Sequence, residues 1–158
     1  GRARERKTGA GRAAWQQGKK GTDMYRHILI AVAFDSEQEP EAALRVARSL
    51  SGEETLVSVL HVREAVPGYA ISYMPEGYAE ELDNAIQSRL DTLAAGFARG
   101  RGVLIEGHSG PTILDWAEAN AVDLIVIASH RPGLQDYFLG ATAARVGRHA
   151  KCSVHVMR

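Results

Sequence analysis

The sequence predicts an open α/β sheet of parallel strands covered by helices on both faces, and three observations carry that prediction. From Tyr25 onward, short β-branched runs alternate regularly with segments of helical period. The runs are continuously apolar rather than alternating, which is how strands buried on both faces read. Finally, 158 residues with 16 glycines and only 6% aromatics suit one layered α/β domain better than an aromatic-rich sandwich.

The elements follow in order. "HILIAVAF" (27–34) reads as a buried first strand. "PEAALRVARSL" (40–50) reads as a helix with Pro40 in its first turn and Gly52 just past its end. "TLVSVLHV" (55–62) is the second strand, followed by a loop rich in Tyr, Pro and Gly over 64–77. Leu82, Ile86, Leu90, Leu93 and Phe97 then recur at steps of three and four, predicting a helix with one buried stripe. "VLIE" (103–106) is a short third strand, and "TILDWAEAN" (112–120) a helix with Thr112 as N-cap. "DLIVIA" (123–128), a helix over 140–150 and "SVHVM" (153–157) complete a βαβαβαβαβ order. Trp116 is expected in the core.

A formal net charge of zero hides an asymmetry. Residues 1–23 hold seven Lys/Arg against two Asp/Glu, so the remainder is acidic. That first stretch lacks apolar period and precedes Met24, which reads as a leader or expression-derived extension, dispensable for folding, in front of a domain over 24–158. A basic arm for nucleic acid is the sharper alternative, but it has neither interleaved aromatics nor a basic body behind it. Nucleic acid is therefore not an expected partner. The lone Cys152 allows no internal disulfide, which points to a reducing compartment, the cytoplasm. The longest apolar run, 28–34, is far short of the roughly 20 residues of a membrane helix.

Open parallel sheets bind ligands beyond the carboxyl ends of their strands, where strand order reverses. If the order is 3-2-1-4-5, the reversal lies between the first and fourth strands, and the loop "ASHRPGLQDYFLGAT" leaves the fourth strand there. A helix opening near Gly140 offers unpaired N–H groups and the positive end of its dipole to an anion. Gly140 permits close approach of a phosphate, Thr142 supplies a hydroxyl and Arg131 a fixed cationic fork. The plainer reading is that Gly133 and Gly140 only turn the chain, Arg131 is solvated and Thr142 caps the helix.

The segment 25–158 resembles the universal stress proteins of the UspA superfamily, most closely their shorter nucleotide-binding F-type branch. The likeness rests on "HILIAV", "SVLHV" and above all the combination of "IVIASHRP", "LGATAARV" and "CSVHVMR". It implies a three-layer Rossmann-like fold of the adenine nucleotide alpha hydrolase type with strand order 3-2-1-4-5. It also implies a homodimer through the fifth strand, with pairing into tetramers open, an unidentified protein partner, and binding of ATP or AMP with or without Mg. The site it implies comprises Val32, Ala33 and Asp35 after the first strand, and Val62 after His61 in the second, the position whose backbone contacts the adenine in this family. After the fourth come Ile127, Ala128, Ser129, His130, Arg131 and Gly133, then Gly140, Ala141 and Thr142 at the last helix.

Against the family's Gly-x2-Gly-x9-Gly-Ser/Thr pattern, the first two glycines fall on Ala128 and Arg131, the spacing to Gly140 is one short, and the hydroxyl position falls on Ala141. The aspartate often found after the first strand is Ala33 here, with Asp35 two residues later. These changes also fit a nucleotide-free dimeric interaction module of the same fold.

Other chemistries fit less well. A phosphoacceptor receiver needs an Asp at the end of the third strand and a Lys at the end of the fifth, where this chain has Glu106-Gly107 and Met157-Arg158. A flavin carrier needs a hydroxyl- and glycine-rich loop after the first strand, where "FDSEQEP" is acidic. His61 and His130 lack acidic or thiol partners at metal spacing, and Cys152 reads as a packed small side chain. Tyr69, Tyr73 and Tyr78 suit a lid, a partner surface or a plain surface loop. With no Walker-type lysine loop and no acidic pair for magnesium, the expectation is binding or slow hydrolysis used as a signal.

Overall fold

The computed structural model describes residues 24–34, 38–129 and 139–158. At its centre is β1 (His27–Ala31), buried along its whole length. It pairs in parallel with β2 (Leu56–Arg63) on one side and β4 (Leu124–Ala128) on the other, with Ile30 opposite both Val59 and Val126. β3 (Arg99–Glu106) and β5 (Ser153–Met157) form the edges, giving the predicted order 3-2-1-4-5.

Strand alternation then divides the core into two layers. Ile28, Ile30 and Val32 point to one face and pack with Ala43, Leu44 and Ala47 of α1 (Gln38–Leu50) and with Leu90 and Ala94 of α3 (Tyr78–Ala94). Leu29 and Ala31 point to the other and pack with Ile113 and Ala117 of α4 (Ser109–Ala119) and with Ala143 and Val146 of α5 (Ala141–His149). Trp116 is half-buried against this second layer. Residues 1–23, expected as a leader, lie outside the described residues.

Several boundaries differ from expectation for identifiable reasons. β1 stops at Ala31 rather than Phe34. The Val32 N–H still donates to Leu60 at 2.9 Å, but its carbonyl is taken by the His61 ring, and Phe34 adopts φ 60°, which no strand tolerates. β3 begins four residues earlier than expected. A side chain on Gly100 would collide with the Ala94 carbonyl, and one on Gly102 would meet Leu90 Cβ at 2.7 Å, so α3 lies directly on the strand. The two glycines that disguise this strand as a loop are what let the helix approach.

The helix expected from Thr112 begins at Ser109 instead. His108 occupies the cap, Pro111 sits within the first turn, and the Thr112 N–H donates to the His108 carbonyl at 3.0 Å. In α3 the predicted stripe is incomplete. Leu90 is buried, Ile86, Leu93 and Phe97 are half-buried, and Leu82 is exposed. Between β2 and α3 lies an unpredicted single helical turn, α2 (Gly68–Ile71), and Tyr69, Tyr73 and Tyr78 around it are exposed. Among the described residues no helix is long and apolar enough to cross a membrane.

Candidate functional site

Where β1 ends and parts from β4, a cleft of about 240 Å3 opens over the carboxyl ends of β1, β2 and β4. Each of its walls follows from a local sequence feature. The β1 wall is Val32 and Ala33, where pairing has just ceased; the β2 wall is His61 and Val62; the β4 wall is Ile127, Ala128 and Ser129. The far wall is the start of α5, with Gly140 as N-cap followed by Ala141 and Thr142. All but His61 are sequence-predicted site residues, and the structure brings these nine to one cavity. Asp35, His130, Arg131 and Gly133 lie outside the described residues.

The α5 wall is shaped for an anion. The first intrahelical bond of α5 runs from Ala144 N–H to the Gly140 carbonyl at 2.8 Å, so the amides of Ala141, Thr142 and Ala143 have no helical acceptor. No side chain caps them among the described residues. The Thr142 side chain reaches the cleft, and its hydroxyl has no hydrogen-bond partner among the described residues. No Lys or Arg lines the cavity among the described residues, so an anion here meets main-chain donors and a helix dipole rather than a fixed cation.

Gly140 has a second duty. Its φ of −56° suits any residue, but a Cβ there would lie 2.9 Å from the Ser129 carbonyl, which also accepts the Gly140 N–H at 3.2 Å. The glycine is thus required by a backbone crossing, and replacing it disturbs that crossing. Ser129 lines the cleft through its main chain, since its N–H and hydroxyl both donate to the Met157 carbonyl, at 2.8 and 2.9 Å. That hydroxyl ties β5 to β4.

Sequence reasoning missed Glu64, Ser109 and Ile113 in the lining. Ser109 opens α4, so a second helix N-terminus faces the cleft. Pro111 in "HSGPT" carried a usable signal, because proline is favoured in a first helical turn. Glu64 is exposed at the rim and sets a carboxylate against that side of the cavity. Weighed earlier only as a metal ligand, His61 has a structural bond instead, Nδ1–H donating to the Val32 carbonyl at 2.7 Å. Among the described residues no group of His, Cys, Asp and Glu could hold a metal. The exposed tyrosines do not line the cleft. Burial, followed by the nearby Asp123, raises the pKa of the half-buried Cys152 thiol, in keeping with a packing role.

Fold and cleft together define a class: a five-stranded parallel α/β domain with a cleft at the strand-order reversal. The chain belongs to the universal stress protein family, whose model matches residues 24–158. A relative described as universal stress protein A homolog 2, from Coxiella burnetii, is 25% identical over 142 residues, covering 86% of this chain and 97% of its own. Among solved structures, the universal stress protein from Archaeoglobus fulgidus in complex with dAMP aligns with TM-score 0.58 and 21% identity over 85% of this chain and 98% of that one. A universal stress protein family protein from Arabidopsis thaliana with AMP bound aligns with TM-score 0.56 and 16% identity over 84% and 90%.

Proposed function

We propose that this protein binds an adenine nucleotide, ATP or AMP with or without Mg, in the cleft over β1, β2 and β4 and uses the bound state as a stress-response signal. The observation that carries this reading is the start of α5, where three amides and the Thr142 hydroxyl, without partners among the described residues, face a cavity beside a glycine N-cap. Those parts fit a phosphate. The apolar floor of Ala31, Leu60, Ile113 and Ile127 fits the face of a base, and Glu64 at the rim suits the hydroxyls of a sugar. Nucleotides bound to the Archaeoglobus and Arabidopsis proteins support the same reading. In this reading Asp35, His130, Arg131 and Gly133 complete the site, hydrolysis is slow at most, and the protein acts in the cytoplasm. Its homodimer forms through the edge strand β5, with residues 1–23 dispensable.

A nucleotide-free interaction module of the same fold is the second reading. Ala33, Ala128 and Ala141 favour it, since all three line the cleft with methyl groups and give a ligand no side-chain hydrogen bond.

Mass spectrometry of ligand released from protein purified without added nucleotide, with titration calorimetry of ATP and AMP, separates the two. Ala141→Glu localises the site. A carboxylate in the first turn suits the helix dipole, so the fold survives while phosphate is repelled, and nucleotide affinity should fall below detection. No released nucleotide and no binding at millimolar ATP in the wild type would leave the interaction module standing.

A further inference from the structure

We infer that His61 is a positioning residue that holds open a main-chain edge for the base, an assignment that rests on the nucleotide reading of the cleft. The Leu60 carbonyl accepts the Val32 N–H at 2.9 Å, so the main-chain groups of Leu60 face β1. Alternation turns those of Arg63 toward β3, where its carbonyl accepts the Gly107 N–H at 3.0 Å, and those of Val62 back toward β1. Were the ladder to continue, the Val62 N–H would donate to the Val32 carbonyl. That carbonyl instead accepts the His61 Nδ1–H at 2.7 Å. The Val62 N–H and carbonyl are left without partners among the described residues, at the wall of the cleft.

A second feature keeps the chain from closing back. Phe34 has φ 60°, a conformation that bulky residues hold only when their surroundings impose it. Its ring lies 5.0 Å from the His61 ring, tilted by 49°, and the Arg89 guanidinium stacks on it at 4.7 Å. The imidazole and the wedged phenyl ring together turn the chain away from β2 after Val32. The open pair at Val62, one donor and one acceptor on the same residue, is the main-chain contact to the base that the family likeness implies for this position, and the bond from His61 is what keeps it open. Selectivity for the base is therefore set by a side chain that need not touch it.

The test uses His61→Phe, which keeps a ring against Phe34 but removes the donor, and His61→Asn, whose amide nitrogen can take the place of Nδ1. In ligand-free protein the Val62 amide should exchange with solvent at least tenfold more slowly in His61→Phe than in the wild type, because it closes onto the freed Val32 carbonyl. AMP affinity should fall at least tenfold in His61→Phe and return to within threefold in His61→Asn, while affinity for ribose 5-phosphate, which has no base, stays within twofold throughout. If His61→Phe does not fold, His61→Gln, whose amide reaches only the place of Nε2, should show the same losses. Unchanged Val62 exchange, or an equal fall for AMP and ribose 5-phosphate, overturns the assignment. Should the wild type bind neither compound, the nucleotide reading fails and Val62 exchange alone decides the role of His61.

Discussion

The two ends of the sheet treat their polar groups in opposite ways. At the amino end, the buried His27 ring donates through Nδ1 to the Asn120 carbonyl at 2.9 Å, and its Nε2 accepts from the Ser58 hydroxyl at 2.7 Å. Ser58 in turn accepts from Arg101 Nε at 3.1 Å, and the Asp123 carboxylate takes the N–H groups of both Arg26 and His27 at 2.9 Å. Trp116 closes the group, its ring edge-on to His27 at 5.6 Å and beneath the Arg101 guanidinium. At the carboxyl end, the amides of Ala141 to Ala143 and the main-chain groups of Val62 face a cavity with no such partners among the described residues. One end satisfies itself and stabilises the fold; the other holds donors in reserve for a ligand.

The largest effect expected from breaking this contrast is at the amino end. Asp123→Ala removes a charged acceptor from two backbone N–H groups, and should lower unfolding free energy in urea by about 3 kcal/mol. Nucleotide affinity at the opposite end should stay unchanged, and a parallel loss would show the ends to be coupled.

Acid should act on the same end. Burial, reinforced by Arg101, holds the His27 imidazole below its ordinary value of 6.5 despite the bond to Asn120, so the folded protein favours the neutral ring. The unfolded chain then binds the extra proton first, and stability is full above pH 6.5 and declines as pH falls below it toward the folded value. One proton limits the slope to about 1.4 kcal/mol per pH unit. Urea titrations from pH 8 to 5 should show this decline in the wild type and a flatter profile in His27→Gln.

At the carboxyl end the expected changes are in affinity. Thr142→Val removes a hydroxyl that has no partner among the described residues and should weaken ATP binding about tenfold, equivalent to about 1.4 kcal/mol, with little change in melting temperature. Ala141→Ser should change little if Thr142 already supplies that bond, and calorimetry of both variants sharpens the assignment. Smallest of all is Lys151→Ala. Its 2.8 Å bridge to Glu118 lies on the surface, and its loss should leave the melting temperature unmoved. Burial, rather than position along the sheet, then sets what a polar contact contributes.

The sequence carried the strand order and most of the residues that line the cleft through the family likeness, and the β5 bounds through its run of apolar residues. It misled where a residue's effect depended on a neighbour distant in the chain. Gly100 and Gly102 suggested a loop because nothing local announces that α3 will press against their backbone. "VAF" suggested more strand because the partner that ends β1 is a histidine almost thirty residues later. Leu82 matched the helical period, yet the sheet face beneath α3 does not extend to cover it. Glu64 and Ser109 enter the cleft by topology alone, and of the two only Ser109 had a neighbouring proline to mark it.

The bond between Gly140 N–H and the Ser129 carbonyl joins the start of α5 to the end of β4. Through its own N–H and hydroxyl, Ser129 also holds the Met157 carbonyl of β5. One residue therefore latches three elements, and a shift of its backbone would move the wall of the cleft and the edge of the sheet together.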